Sequence, residues 1–223
     1  MTIDILTLFP SMFDAPLGES IIGRAQLAGH VTIRCHQIRD FTENRQNQVD
    51  DYPYGGGQGC VMQAQPLYAA WQHARDLGGP ARTIFLSPRG RVFTQAEALR
   101  LAEDYERLIL VCGHYEGVDQ RFIDLAVDEE LSIGDFVLTG GEIPAMALAD
   151  AVCRLVPGAL RRELFYRGEP LGRAVGVPPI LPPGGLGGTG GTGGVAVGRP
   201  QSDCQLAAQA GFSHHTPASA GHV

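Results

Sequence analysis

The first 158 residues alternate short apolar runs with amphipathic stretches, and this alternation constrains the fold more than any other feature of the sequence. Four apolar runs of strand length predict buried strands: TIDILTLF (2–9), HVTIRCHQI (30–38), RTIFLS (82–87) and RLILVC (107–112). Apolar residues at helical spacing predict five helices: SIIGRAQLA (20–28), PLYAAWQHARDL (66–77), TQAEALRLAED (94–104), VDQRFIDLAV (118–127) and IPAMALADAVCRLV (143–156). Thr94 and Glu97 form a capping-box pattern at the start of the third. Strands and helices in alternation favour an α/β fold with a parallel sheet, in which ligands bind at the carboxyl ends of the strands.

Composition excludes several classes of protein. All 17 basic residues are arginine, so a Walker-type P-loop and a Schiff-base mechanism, which both need a lysine amine, are excluded. The five cysteines are scattered, without a CxxC pair, and predict reduced thiols rather than a disulfide framework or a zinc site. The N-terminus has neither a basic lead-in nor a long apolar run, which favours a cytoplasmic protein.

The charge is acidic overall and unevenly distributed. The net charge of −7 argues weakly against nucleic-acid binding. Residues 1–158 hold 12 arginines against 21 acidic residues, whereas residues 159–223 hold 5 against 3. The basic character therefore lies in the last 65 residues.

Three loops carry more glycine than turns require: YGGGQGC (54–60), CGHYEG (112–117) and SIGDFVLTGGEIP (132–144). None has the GxGxxG spacing before a helix, so a dinucleotide-binding Rossmann site is weakly supported. Tight turns in a crowded fold would explain one such loop. Three together favour loops whose backbone approaches a ligand and reads it through N–H and C=O groups.

Four motifs resemble one family. LSPRGR (86–91), LVCGHYEGVDQR (110–121), DEELSIGDFVLTGGEIPAMALADAVCRLVPG (128–158) and DYPYGGGQG (51–59) are similar, in order and in register, to segments of the bacterial tRNA (guanine-N1)-methyltransferases. That family belongs to the SPOUT, or trefoil-knot, superfamily. The resemblance implies methyl transfer from S-adenosylmethionine to N1 of the guanosine 3′ of the tRNA anticodon, a deep knot in the C-terminal part of the sheet, and a homodimer.

The resemblance also implies the residues of the site. Carried over, the cofactor-binding residues are Leu86, Ser87, Pro88, Gly113, Ile133, Gly134, Asp135, Phe136, Val137, Leu138, Gly140, Gly141 and Pro144. Asp50 and Asp51 match positions on the tRNA side. Cys60 stands where the family is expected to have methionine, and no role is carried over to His114.

Two residues are expected to be catalytic by the same resemblance. N1 of guanine must lose a proton, and negative charge then develops on O6, so a cation placed there stabilises the transition state. Arg154 matches that cation; the alternative is an ordinary surface arginine. Glu116 matches a carboxylate near the methionine moiety of the cofactor; the alternative is a structural ion pair with Arg121 or Arg154.

Residues 159–223 do not continue the resemblance. They hold 14 of the 30 glycines and 7 of the 15 prolines, without helical periodicity, and predict a disordered tail in place of the family's linker, its general-base aspartate and its basic tRNA-binding domain. Two domains are therefore expected: a knotted cofactor-binding domain over 1–158 and an aberrant tail over 159–223.

The tail has a simple explanation in the genetic code. With free choice of synonymous codons and reading from the second base of each codon, residues 172–183 can read GGLLEYPPYSRP, and residues 191–208 can read VPEVLLSGDHNRIANWRR. These strings resemble the family's linker and the start of its C-terminal domain. The hypothesis is a one-base insertion or deletion near codon 159.

Three functions follow as hypotheses. The leading one is a tRNA methyltransferase. The second is a cofactor-binding or tRNA-binding protein without catalysis, because the tail lacks the base and the basic domain. The third is an unrelated α/β nucleotide-binding enzyme. Binding of S-adenosylmethionine separates the third from the others, and methyl transfer to tRNA separates the first from the second.

Overall fold

A computed structural model describes residues 1–160, and these form a parallel α/β sheet with helices on both faces. The strands are β1 (Thr2–Thr7), β2 (Thr32–Gln37), β3 (Asp50–Asp51), β4 (Val61–Met62), β5 (Arg82–Val92), β6 (Arg107–Cys112) and β7 (Glu129–Ser132). The α-helices are α1 (Asp14–Gly18), α2 (Ser20–Leu27), α3 (Ala64–Asp76), α4 (Gln95–Asp104), α5 (Gln120–Ala126) and α6 (Glu142–Cys153). Short 3-10 helices cover Pro10–Phe13 and Ile38–Phe41.

The main sheet has the strand order β2-β1-β6-β5-β7, and every neighbouring pair in it is parallel. β3 and β4 form a separate antiparallel pair. The expected α/β class, the four predicted strands and the five predicted helices are confirmed. The prediction that all four strands are buried is wrong for β2, whose residues are at most partly buried because it lies at the edge of the sheet. Thr94 is the N-cap of α4, and its hydroxyl accepts a hydrogen bond from the Glu97 backbone N–H, as the capping-box pattern predicted.

Buried side chains divide into two layers, one on each face of the sheet, because successive residues of a strand point to opposite sides. Ile3 and Ile5 of β1 pack with α2, α4 and α6 on one face. Leu6 packs with α3 and α5 on the other. Trp71 of α3 lies in this second layer, where its indole N–H donates a 3.0 Å hydrogen bond to the Thr83 hydroxyl of β5.

β5 pairs with β7 twice. Ile84, Phe85 and Leu86 pair with residues 129–131, and Arg91 and Val92 then pair with residues 131–132, so residues 87–90 bulge out of the ladder. A Cβ at Gly90 would lie 2.6 Å from the Leu131 backbone nitrogen, and only glycine allows the bulge to cross β7 this closely.

Among residues 1–160, no helix has the length and apolar character that a membrane span requires. Residues 161–223 lie outside the described part of the chain. The predicted disorder of the tail, the domain boundary at 158/159 and the shifted reading frame depend on those residues and stay predictions.

Candidate active site

A cavity of about 390 Å³ opens at the carboxyl ends of β6 and β7 and beside the middle of β5, where its pairing with β7 is interrupted. Three segments form its walls: residues 86–89 within β5, residues 113–118 after β6, and residues 132–141 after β7. Pro144, in the first turn of α6, completes the lining. The expectation that a parallel sheet places its ligand site at the strand ends is met by this geometry.

The cavity contains most of the residues that the sequence pointed to. Lining it are Leu86, Ser87, Pro88, Gly113, Glu116, Ile133, Gly134, Phe136, Val137, Leu138, Gly140, Gly141 and Pro144. Asp135 is not part of the lining and faces solvent. The glycine loop at 54–60 does not line the cavity either, although it touches Glu116 from outside.

Glycine is required in the wall formed by residues 140 and 141. A Cβ at Gly140 would lie 2.2 Å from His114 Nε2 and 2.5 Å from Glu142 Oε2. A Cβ at Gly141 would lie 2.6 Å from the Cα of Cys112. The chain therefore passes directly over the end of β6, and its backbone rather than a side chain faces the cavity at this point.

A buried polar chain lies behind that wall. The Thr7 hydroxyl donates a 2.7 Å hydrogen bond to Glu142 Oε1, and His114 Nε2 lies 2.8 Å from Glu142 Oε2. Glu142 is 2% exposed and stands in the first turn of α6, where the helix dipole favours a negative charge. Because the carboxylate accepts, Nε2 carries the hydrogen, and this fixes the orientation of the His114 ring in the cavity wall.

The sequence does not predict this arrangement. His114 and Glu142 lie within the quoted motifs without a predicted role, and Thr7 is 135 positions away from Glu142. The only signal in the sequence was Glu142 immediately before the predicted apolar helix 143–156, where a buried carboxylate needs partners.

Glu116 is exposed at the cavity mouth. No ion pair to it occurs within residues 1–160, and Arg121, one of its two candidate structural partners, instead binds Asp119. Hydrogen bonds from Arg121, opposed by partial burial, hold the pKa of Asp119 below its usual value. Arg89, another charged residue of the cavity lining, forms an ion pair with Glu130, in which Arg89 Nε lies 3.0 Å from Glu130 Oε2. Glu116 therefore supplies an uncompensated negative charge beside the cavity.

Arg154 is not brought to the cavity of its own chain. It follows α6 at the end opposite Pro144, ten residues away, which corresponds to about 15 Å of helix. Its side chain is exposed, and it has no ion pair among the described residues.

Cys112 is the buried thiol at the end of β6, beside the cavity. Burial, and then the proximity of Glu142, raise the pKa of the Cys112 thiol well above its ordinary value. The four described cysteines, Cys35, Cys60, Cys112 and Cys153, are all free. A thiolate nucleophile is therefore not part of this site.

Comparison with known proteins identifies the family. The family model described as tRNA (Guanine-1)-methyltransferase TrmD matches residues 1–170. The chain belongs to the tRNA (guanine-N1)-methyltransferase family. It is 52% identical over 172 residues to the tRNA (guanine-N(1)-)-methyltransferase of Alkaliphilus metalliredigens, a match that covers 76% of this chain and 69% of that protein. It is 57% identical over 161 residues to the Geotalea uraniireducens enzyme, covering 72% of this chain and 64% of that protein.

A solved structure supports the same assignment. The crystal structure of tRNA (m1G37) methyltransferase from Aquifex aeolicus matches with a TM-score of 0.67 at 36% identity, over 73% of this chain and 72% of that one. The chain thus spans about two thirds of the length of the family members that it matches. The cavity described above lies entirely within the part that they share.

Proposed function

We propose that this chain binds S-adenosylmethionine in the cavity at the strand ends and transfers its methyl group to N1 of the guanosine 3′ of a tRNA anticodon. The observation that carries the proposal is the cavity itself: two of the three glycine loops, 112–117 and 132–144, converge on one site. The family match covers every residue of that site.

The residues present fit such a cofactor. Backbone N–H and C=O groups of residues 133–138 would read the adenine, and Leu86 would pack against the adenosine. At Gly140 and Gly141, the absence of a side chain lets the backbone of this wall lie close to His114 and Cys112. S-adenosylmethionine supplies an electrophilic methyl group on a positively charged sulfur, and the free carboxylate of Glu116 would attract that charge.

Transfer to N1 requires loss of the N1 proton and stabilisation of the charge that develops on guanine O6. We assign the second task to Arg154, because a guanidinium stays charged and can donate to O6 as the charge grows. The resemblance implies a general-base aspartate in the segment after residue 158, but residues 159–223 of this chain do not match that segment, so little or no methyl transfer is expected from the chain as it stands. The bond from N1 to the methyl carbon forms as the carbon–sulfur bond breaks, and the electron pair of that bond remains on sulfur.

A homodimer would complete this site. Arg154 lies about 15 Å of helix away from its own cavity, so a second copy would have to bring it to the substrate. Phe136 and Val137 of the cavity lining, together with Ile143, are 52%, 84% and 49% exposed and form an apolar patch of the kind that marks an interaction surface. We therefore propose that this patch, with Leu138, contacts the partner subunit.

Two further properties belong to the proposal. The C-terminal part of the sheet is proposed to be knotted, as in the SPOUT superfamily, and the double pairing of β5 with β7 around residues 87–90 supports a chain threaded at this point. The protein is proposed to act in the cytoplasm, where bacterial tRNA is modified.

Calorimetry with S-adenosylmethionine tests the cofactor site, and a methyl-transfer assay on a tRNA transcript tests the reaction. Methylation of a transcript with guanosine 3′ of the anticodon, and not of one with adenosine there, is the expected specificity. Cofactor binding without transfer would leave the binding-protein hypothesis. Absence of cofactor binding would refute the proposed function.

A further inference from the structure

Residues 50–62, which we call the aromatic flap, are fastened to the cavity wall. The Glu116 backbone N–H donates to the Cys60 carbonyl at 3.0 Å, the Met62 N–H donates to Gly117 at 2.9 Å, and the Asp119 N–H donates to Met62 at 3.0 Å. A Cβ at Gly59 would lie 2.4 Å from the Cγ of Glu116. The flap therefore leaves the body of the protein directly beside the mouth of the cavity.

The outer part of the flap presents two aromatic rings that make no ring contact with any other residue of 1–160. Tyr52 is 78% exposed, and Tyr54 is exposed as fully as in an extended peptide, at 108%. Buried or half-buried rings are the usual state of tyrosine, because each ring carries a large apolar area. Directly after Tyr54, Gly55 and Gly56 have φ values of +94° and +85°, which other residues rarely adopt, so glycine sets the backbone turn that follows the rings.

The charge on the flap restricts what these rings can bind. Residues 46–62 contain no arginine, and Asp50 and Asp51 lie at the base of the flap. A phosphate backbone would be repelled here rather than attracted. A neutral, flat, unpaired nucleobase would not be repelled. Proteins commonly bind such a base by stacking it on a tyrosine ring.

We propose that Tyr52 and Tyr54 form a stacking surface for unpaired nucleobases of the RNA whose target base enters the cavity. The proposal rests on the proposed function, because it takes its partner from the tRNA substrate. It adds that the acidic flap binds bases and not phosphates, and that the basic contacts to the backbone come from elsewhere.

The test uses the full chain saturated with S-adenosylmethionine and an anticodon stem-loop RNA that carries guanosine 3′ of the anticodon. Binding is measured by calorimetry for the wild type, Tyr52→Ala, Tyr54→Ala and Tyr54→Phe. The alanine variants are expected to weaken RNA binding about five- to a hundredfold, whereas Tyr54→Phe keeps the ring and binds as the wild type does. Leu27→Ala is the matched control, since Leu27 is 90% exposed on α2 and should have no effect.

A second measurement detects the stacking itself. Tyr54→Trp places an exposed indole on the flap, and its fluorescence should be quenched when the RNA binds; Leu27→Trp should not respond. Affinity for S-adenosylmethionine should be unchanged in every variant.

RNA binding by Tyr52→Ala and Tyr54→Ala equal to that of Leu27→Ala would overturn the stacking proposal while leaving the proposed function intact. A loss of cofactor affinity in the alanine variants would also overturn the stacking proposal, because the tyrosines would then cover the cavity. Dissociation of a dimer in these variants would overturn it too, because the tyrosines would then contact a second copy of the chain. If the wild type bound cofactor but no RNA, the proposed function would fail and the stacking proposal would fall with it.

Discussion

At the scale of single residues, the site depends on positions where a side chain is absent. Gly140 leads to the clearest prediction, since an added Cβ would meet both members of the His114–Glu142 pair. Gly140→Ala should lower the free energy of unfolding by about 1–3 kcal/mol, because the wall cannot move without displacing a buried carboxylate. It should also reduce affinity for S-adenosylmethionine, measured by calorimetry beside a denaturant titration.

Gly79→Ala is the control for Gly140→Ala, because a Cβ at Gly79 would meet no atom within 4 Å. It should leave both stability and cofactor affinity near the wild-type values. Equal behaviour of the two variants would show that the close approach at Gly140 does not matter.

The glycine loops at 112–117 and 132–144 can be singled out from the sequence, but only the first follows a predicted strand, because β7 was not predicted. The individual residues Gly113, Gly134 and Gly141 were carried over from the family resemblance. His114 was not, since its function in the wall depends on Glu142 and Thr7, which are distant in sequence and meet only in the folded sheet. The assigned roles of Arg154 and Glu116 remain predictions.

At the scale of elements, the sequence did not predict the two-residue strands β3 and β4, and within the main sheet it did not predict β7, with the sequence EELS. Two of its four residues are glutamates, so a hydrophobicity pattern does not predict a strand here. In the fold, Glu129 receives ion pairs from Arg82, Arg91 and Arg100 at 2.8–2.9 Å. Burial raises the pKa of Glu129, but hydrogen bonds from Arg82 and Arg100 outweigh it, so the net pKa lies below its usual value. Three arginines thus allow a charged residue to occupy a strand position.

A second buried carboxylate joins three neighbouring strands and makes stability depend on pH. Asp4 of β1 is fully buried and binds Arg34 and His36 of β2 and Arg107 of β6 at 2.8–3.0 Å. Burial raises the pKa of Asp4, yet the hydrogen bonds from these three partners lower it to about 2.

Since the folded pKa of Asp4 lies below the unfolded value of 3.8, its stabilising effect is fully present above pH 4 and is lost as the pH falls toward 2. The difference corresponds to about 2 kcal/mol. Asp4→Asn should lower the free energy of unfolding at neutral pH and flatten its pH dependence in this window, measured by denaturant titrations at several pH values.

Asp76→Asn, at the exposed end of α3, provides the comparison for Asp4→Asn. It should leave the pH profile of the wild type intact. An unchanged slope between pH 4 and pH 2 in Asp4→Asn would mean that other carboxylates control acid unfolding.

At the scale of the whole molecule, the apolar patch beside the cavity predicts self-association. Val137→Glu places a charge in the middle of the patch and should convert a dimer to a monomer, because burying an unpaired carboxylate is costly. Sedimentation velocity measures the result. Leu125→Glu, at a 65% exposed position of α5, should leave the assembly unchanged. A monomeric wild type would remove the basis for a site shared between subunits.

The last 65 residues lead to a prediction about the gene. If a one-base insertion or deletion lies near codon 159, the nucleotide sequence should encode GGLLEYP and LLSGDH in the neighbouring frame. Restoring that frame should raise methyl-transfer activity steeply, because both a general base and a basic tRNA-binding domain would return. Strong activity of the chain as it stands, or a gene without those codons, would contradict the hypothesis.

The strand order has a consequence for how the chain reaches its fold. β1 pairs with β6, which is made about a hundred residues later, and β5 must stand between β6 and β7. Parallel pairings between such distant segments form slowly, since the entropy of closing a long loop is lost before any contact stabilises the pairing. During synthesis, one edge of β1 therefore waits unpaired until β6 emerges from the ribosome. A nascent chain stalled before residue 107 should be far more prone to aggregate than one stalled after residue 132.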